Sequence, residues 1–78
     1  MATMFSQTLK KIRIELKLTQ QNFSDLLCIP IGTYRCWETG RVLPSFENFE
    51  KIIEELDKND VGTSTLERAY TRTKCGEQ

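Results

Sequence analysis

The chain has 78 residues, of which 38% are hydrophobic and 28% are charged, and its formal net charge at neutral pH is zero. This length allows one small domain with a modest core. The sequence has no apolar run long enough to span a membrane, and its first residues lack the charged and apolar regions of a signal peptide, so we expect a cytoplasmic protein.

The first predicted helix runs from about Phe5 to Lys17. Phe5, Leu9, Ile12 and Leu16 recur at intervals of three or four residues, which gives this helix one apolar stripe. Lysines off the stripe are available to solvent or phosphate: Lys10, Lys11 and Lys17.

Residues 19–40 predict two short helices joined by a tight turn. Thr19 is a suitable N-cap, because its hydroxyl can accept a hydrogen bond from a backbone N–H of the first turn. Pro30 disfavours helix at the residue before it and suits the start of a new helix, which we expect to end near Glu38. Gly40 then supplies a left-handed stop. This arrangement is the helix-turn-helix unit, whose second helix enters the major groove of DNA.

The second helix of this unit has two different faces. Tyr34 and Trp37 lie three residues apart and share one face, which we expect to be buried. Residues on the other face are Ile31, Gly32, Arg35 and Cys36. Stacking of the two aromatic rings on DNA bases is the alternative to their burial.

A fourth helix is predicted from Ser45, its N-cap, to Lys58. One broad apolar face would be formed by Phe46, Phe49, Ile52, Ile53 and Leu56. A short fifth helix is predicted from about Thr65 to Arg72, because Ser64 and Glu67 have capping-box spacing. We expect the residues from Thr73 to Gln78 to be frayed.

These elements divide the chain into residues 1–60, a helix-turn-helix domain, and residues 61–78, a short helix and tail. The tail segment is a possible dimerisation element. Candidate dimer surfaces are Leu66 and Tyr70 of the fifth helix, or apolar residues near the fourth helix.

Charge is unevenly distributed along the chain. Six basic and three acidic residues precede position 45, for a net charge of +3, whereas residues 45–60 carry a net −4 and the remainder +1. A dipolar domain of this kind can present its basic side to phosphates. Ordinary solvated surface charge is the alternative interpretation.

The cysteines indicate an intracellular protein without metal. Cys28, Cys36 and Cys75 cannot all pair internally, show no C-x-x-C spacing, and are accompanied by no histidine. The pattern favours reduced thiols over a disulfide framework, and it favours neither a metal site nor a cofactor. Without a nucleophile beside an evident base, we expect no enzyme activity.

The motifs resemble one family. Leu-Thr-Gln beginning at Leu18, together with Trp-Glu-x-Gly-x-x-x-Pro beginning at Trp37, resembles the Cro/C1-type (XRE-like) helix-turn-helix domain of phage repressors, bacterial regulators and many antitoxins. The likeness runs from about Leu9 to Leu56. It implies an all-α, lambda-repressor-like fold of four to five helices.

The resemblance also implies roles for individual residues. Gln20 matches a glutamine that bridges a phosphate and the recognition helix, and a simple surface position is the less favoured alternative. Arg35 is the candidate base reader, because a guanidinium group can donate two hydrogen bonds to guanine. Arg13 and Glu38 match a partly buried ion pair that ties the first helix to the third. The full set assigned to DNA is Thr19, Gln20, Gln21, Ile31, Gly32, Thr33, Arg35, Cys36 and Arg41.

Other readings remain open for two of these residues. Arg35 could pair with an acidic neighbour, either Glu38 or Asp25. Cys36 could be a small filler or a redox switch. Where the family usually has glycine in the turn, this chain has Cys28, which costs about 1 kcal/mol if that position needs a positive φ.

We therefore expect a homodimeric transcriptional repressor of phage, plasmid or bacterial origin. Its helix at about residues 30–38 would read an inverted repeat in duplex DNA, because two-fold pairing doubles the few base contacts that one module makes. The alternatives are an antitoxin whose main partner is a toxin protein, and a controller protein for restriction genes.

Overall fold

The computed structural model of the chain describes residues 2–76, which form five helices and no strand. The helices are α1 (Met4–Glu15), α2 (Gln20–Leu26), α3 (Ile31–Thr39), α4 (Phe46–Lys58) and α5 (Ser64–Lys74). The all-α prediction is confirmed. Among the described residues, no helix combines the length and the hydropathy needed to cross a membrane.

Two of the predicted N-caps form as expected. The Thr19 hydroxyl oxygen accepts a hydrogen bond from the Asn22 N–H at 3.0 Å, at the start of α2. The Ser45 hydroxyl oxygen accepts from the Asn48 N–H at 3.3 Å, at the start of α4. These bonds satisfy N–H groups that have no partner within their own helix.

The start of α1 and the start of α5 differ from the predictions. A reciprocal capping box between Thr3 and Ser6 begins α1 one residue earlier than expected. The capping box predicted at Ser64 is wrong: Thr63 precedes α5 and makes no side-chain cap, and Ser64 is already helical. The Thr63 hydroxyl contacts the Glu67 carboxylate instead, at 3.4 Å.

The turn between α2 and α3 is closed by a left-handed residue. Cys28 has φ 61°, its N–H donates to the Asp25 carbonyl at 3.1 Å, and the Ile29 N–H donates to the Ser24 carbonyl at 2.9 Å. This is a Schellman arrangement, in which the last carbonyls of the helix gain partners. The positive φ confirms that this position suits glycine, so the cysteine there is strained.

Left-handed residues end other helices in the same way. Lys17 (φ 60°) follows α1, Gly40 (φ 84°) follows α3, and Asp60 (φ 59°) follows α4. The expected extension of the first helix to Lys17 is therefore wrong, because a residue with positive φ cannot continue a right-handed helix.

The fifth helix completes the core. The Tyr70 ring stacks on the Phe49 ring with centroids 3.9 Å apart, and the Tyr70 hydroxyl donates to the Pro44 carbonyl at 2.9 Å. Leu66 is 0% exposed and Tyr70 is 4% exposed. The expectation that these two side chains offer a dimer surface is wrong, since both are covered by their own chain.

Two further expectations for the C-terminal half are corrected. The sequence predicts Phe46 on the same apolar face of α4 as Phe49 and Ile52, but Phe46 is 55% exposed whereas the other two are buried. Helix α5 continues to Lys74 rather than Arg72, and the Thr73 hydroxyl accepts a hydrogen bond from the Phe5 N–H at 3.0 Å. The fraying expected from Thr73 is therefore wrong for residues 73–74. The expectation for residues 77–78 lies outside the described residues.

Candidate nucleic-acid interface

Helix α3 separates its aromatic residues from its exposed face. Tyr34 is 0% exposed and Trp37 is 2% exposed, so neither ring can stack on a base. Arg35 lies on the solvent side, as expected. Ile31 was expected to face outward, but it is only partly exposed and packs against the core.

The buried carboxylate of Glu38 joins three elements. Arg13 of α1 donates from Nε to Glu38 Oε2 at 2.9 Å and from Nη2 to Oε1 at 3.3 Å, and its Nη1 donates to the Leu18 carbonyl at 2.9 Å. The Tyr34 hydroxyl donates to Oε2, and Gln20 Nε2 donates to Oε1 at 2.8 Å. The exposed fraction of the Glu38 side chain is 4%, against 15% for Arg13. The predicted ion pair between the first and third helices is therefore present.

Burial and hydrogen bonding act in opposite directions on this carboxyl group. Burial alone would raise the pKa of Glu38, but the hydrogen bonds from Arg13, Tyr34 and Gln20, with the charge of Arg13, hold that pKa below its ordinary value. The Arg13 pKa is raised, chiefly by its hydrogen bond to Glu38. Burial, and then the hydrogen bond to Glu38, raises the Tyr34 pKa. Glu38 is thus an anion and Tyr34 a neutral donor at physiological pH.

The carboxylate fixes the orientation of the Gln20 amide. Because a carboxylate only accepts hydrogen bonds, the NH₂ group of Gln20 must face Glu38, and its oxygen faces away. That oxygen accepts from Arg35 Nε at 3.3 Å. Two successive hydrogen bonds, from Gln20 to Glu38 and from Arg35 to Gln20, therefore hold the Nε end of the guanidinium group.

Arg35 forms no ion pair within residues 2–76. The alternative that it pairs with Glu38 or Asp25 is wrong: Glu38 is engaged by Arg13, and Asp25 accepts from Gln21 Nε2 at 3.0 Å. The two terminal nitrogens of Arg35 also make no hydrogen bond within the described part of the chain. Both nitrogens lie on the exposed side of α3.

The remaining predicted contact residues differ in exposure. Exposed residues are Thr19, Gln21, Gly32, Thr33, Arg35 and Arg41, and partly buried residues are Gln20, Ile31 and Cys36. A Cβ atom built on Gly32 would meet no atom within 4 Å, so the backbone of α3 is open to close approach there. The thiols of Cys28, Cys36 and Cys75 are free.

One cation near the turn was not singled out from the sequence. Lys51 of α4 places Nζ 3.4 Å from the Cys28 carbonyl oxygen, beside the turn between α2 and α3. The two residues are 23 positions apart, and no local pattern connects them. Lys51 is thus a positive charge that α4, whose net charge is negative, brings to the helix-turn-helix unit.

Comparison with known proteins agrees with this geometry. Residues 9–60 match a protein-family model described as "Helix-turn-helix". The chain is 43% identical over 54 residues to the uncharacterized HTH-type transcriptional regulator YqaE of Bacillus subtilis (strain 168). That alignment covers 69% of this chain and 47% of the relative, so the chain spans about half the length of the curated protein it matches. No solved structure matches.

Proposed function

The chain belongs to the Cro/C1-type helix-turn-helix family of DNA-binding transcriptional regulators, and on that premise we propose that it is a homodimeric repressor that reads an inverted repeat through α3. One observation carries the proposal. Arg35 is exposed on α3, anchored through Gln20 to the buried Glu38, with its terminal nitrogens unused within the described residues. A guanidinium group held in this way is preorganised for two hydrogen bonds to the O6 and N7 atoms of guanine.

The other residues on the exposed side of α3 make weaker readers. Gly32 brings no side chain, and its open backbone allows close approach to the floor or wall of the groove. The exposed part of Ile31 suits a thymine methyl group, and Thr33 and Cys36 are short. With one strong reader per subunit, part of the specificity comes from the shape and deformability of the operator.

Phosphate contacts fix the position of α3. We assign them to Thr19, Gln20 and Gln21 at the start of α2 and to Arg41 in the loop after α3. Arg13 has no direct DNA role in this proposal, because its guanidinium group is occupied by Glu38 and Leu18. It stabilises the α1–α3 junction on which the reading helix depends.

Dimerisation follows from the small number of base contacts. A two-fold dimer on half-sites about one helical turn apart doubles the contacts and requires an operator that is an inverted repeat. Since Leu66 and Tyr70 are buried, its interface must use other, exposed residues. The proposal involves no catalysis and no cofactor, and a DNA partner implies a cytoplasmic location.

Selection of binding sites from random duplexes, followed by titration at several salt concentrations, tests the proposal. We expect an enriched inverted repeat bound by two chains, with affinity falling steeply as salt rises. Replacing Arg41 with alanine should weaken binding to all sequences and reduce the salt slope by about one. The matched control is Lys58→Ala, whose ammonium group is paired with Glu55 at 3.7 Å on α4 and should leave the slope unchanged.

Three results would overturn the proposal: no enriched sequence, an enriched site without two-fold symmetry, or binding by single chains. An antitoxin that acts only as a protein-binding module would show no DNA shift. A reporter gene placed behind the selected repeat tests the direction of regulation, and we expect repression.

A further inference from the structure

An apolar groove lies between α4 and α5, and none of its lining residues belongs to the proposed DNA-reading set. Its floor includes Phe46, Phe49, Ile53 and Tyr70. Phe46 is 55% exposed, a large apolar surface for a residue that the sequence pattern assigns to a core face. Large exposed apolar patches with a polar rim are typical of interaction sites.

The rim of this groove is acidic. Glu50, Glu54 and Asp57 follow one another at helical spacing along α4, and Glu67 lines the groove from α5. None of these four carboxylates forms an ion pair within residues 2–76. Three of the six acidic residues in positions 45–60, together with Glu67, thus surround an apolar floor.

The groove already receives one cation from its own chain. The Lys74 ammonium nitrogen lies 5.9 Å from the centroid of the Phe46 ring and 5.8 Å from that of the Tyr70 ring. This is cation–π geometry. The same surface therefore accommodates both an aliphatic stem and a positive head group, which are the two parts of a lysine or arginine side chain.

Charge restricts what can cover the groove. Nucleic acid would be repelled by four carboxylates. A second copy packed two-fold on the same groove would bring both sets of carboxylates together, and like charges across an interface disfavour association. A basic partner with an apolar face satisfies both the floor and the rim.

We propose that this groove is a docking site for a basic amphipathic helix of a partner protein, with its apolar stripe against Phe46 and Ile53 and its lysines or arginines against Glu50, Glu54 and Asp57. From Phe46 to Asp57, α4 is about 16 Å long at 1.5 Å per residue, which matches about three turns of a docked helix. Because the lining residues are separate from those assigned to DNA, this contact does not compete for the residues of the proposed operator binding.

The test uses a fluorescein-labelled synthetic helical peptide of 14 residues, with leucines on one face and lysines beside them. A second peptide has the same composition in scrambled order. Fluorescence anisotropy measures both against the full chain and three variants: Glu54→Lys in the rim, Phe46→Ser in the floor, and Glu47→Lys on α4 outside the groove. Circular dichroism checks that each variant keeps its helices.

We expect the amphipathic peptide to bind the unmodified chain. Glu54→Lys and Phe46→Ser should each weaken it at least about tenfold, whereas Glu47→Lys, with the same change in charge, should change it less than about twofold. Equal weakening by both lysine variants, or equal binding of the scrambled peptide, would overturn the proposal in favour of general charge attraction. Sedimentation showing a dimer that Phe46→Ser dissociates would overturn it in favour of a second copy as occupant.

Discussion

Replacement of Glu38 by glutamine removes the charge at the junction of α1, α2 and α3 while keeping the shape of the side chain. The carboxylate accepts two hydrogen bonds from Arg13, one from Tyr34 and one from Gln20. A glutamine amide has one acceptor oxygen, and its NH₂ group would face some of these donors. The substitution therefore leaves buried donors unsatisfied and Arg13 without its counter-ion.

The expected loss of stability is about 3 kcal/mol. Breaking a buried ion pair typically costs about 3–5 kcal/mol, and we take the lower end because 15% of the Arg13 side chain reaches water. For a chain of 78 residues the total free energy of unfolding is about 4–12 kcal/mol. The same loss corresponds to a fall in Tm of about 12–24 °C.

The effect should depend on pH in a defined direction. The pKa of Glu38 in the folded protein is lowered from its ordinary value of 4.5, so its contribution to stability is complete above that value and is lost as the pH falls through the lower folded pKa. Glutamine does not titrate. The difference in unfolding free energy between the two proteins should be full at neutral pH and should narrow in acid.

Urea denaturation followed by circular dichroism, repeated from neutral pH down to about pH 3, measures this difference. Glu54→Gln is the matched control, because Glu54 is exposed and its replacement should change stability by less than about 0.5 kcal/mol. A loss below about 1 kcal/mol for Glu38→Gln, or a loss that is the same at all pH values, would refute the reasoning.

Three further substitutions test other parts of the structure. Cys28→Gly should raise the unfolding free energy by about 1 kcal/mol relative to Cys28→Ala, because φ is 61° there, and equal urea midpoints for the two variants would contradict the strain. Tyr70→Phe leaves the Pro44 carbonyl without its donor and should cost about 1–2 kcal/mol in thermal denaturation, whereas an unchanged Tm would show that this hydrogen bond adds nothing. Gln20→Ala releases Arg35, and anisotropy on operator and mismatched duplexes should show about tenfold weaker operator binding with reduced base preference. A uniform loss on all sequences would assign Gln20 to phosphate contact alone.

The sequence predicted the elements of the site because their signals are local. Spacing of three residues placed Tyr34 and Trp37 together inside, and the position of Arg35 on the opposite face followed from the same helical period. The partnership of Arg13 and Glu38 spans 25 residues and came from family resemblance rather than from spacing. The first two features depend on the period of one helix, and the third depends on the resemblance.

Features formed between distant segments could not be predicted in this way. Leu66 and Tyr70 had the sparse apolar pattern of either a core helix or a dimer surface, and only tertiary packing decides between them. Tyr70 contacts Phe49 and Pro44, and Leu66 is 0% exposed. Phe46 has core-like spacing on α4, but α5 leaves it exposed beside Lys74. Periodicity identifies an apolar face without identifying what covers it.

Helix ends show a second limit of prediction from the sequence. Gly40 marks the end of α3 in the sequence, because glycine favours the left-handed region. Lys17 and Asp60 adopt the same conformation without being glycine, at φ 60° and φ 59°. Backbone hydrogen bonds and packing of the next residue, Leu18 or Val61, outweigh the strain at these positions. The sequence therefore predicted the ends of α3 and α4, whereas α1 ends at Glu15 instead of the predicted Lys17.

The central claim is that α3 enters the major groove with Arg35 reading a base, and the most direct measurement compares Arg35→Ala with the unmodified chain on the selected operator and on all its single-base variants. We predict a loss of about 1–3 kcal/mol on the operator and a loss of discrimination at one base pair in each half-site, with preferences elsewhere retained. An equal loss on operator and on random DNA would contradict the claim, because it would make Arg35 a phosphate contact and leave α3 without its reader.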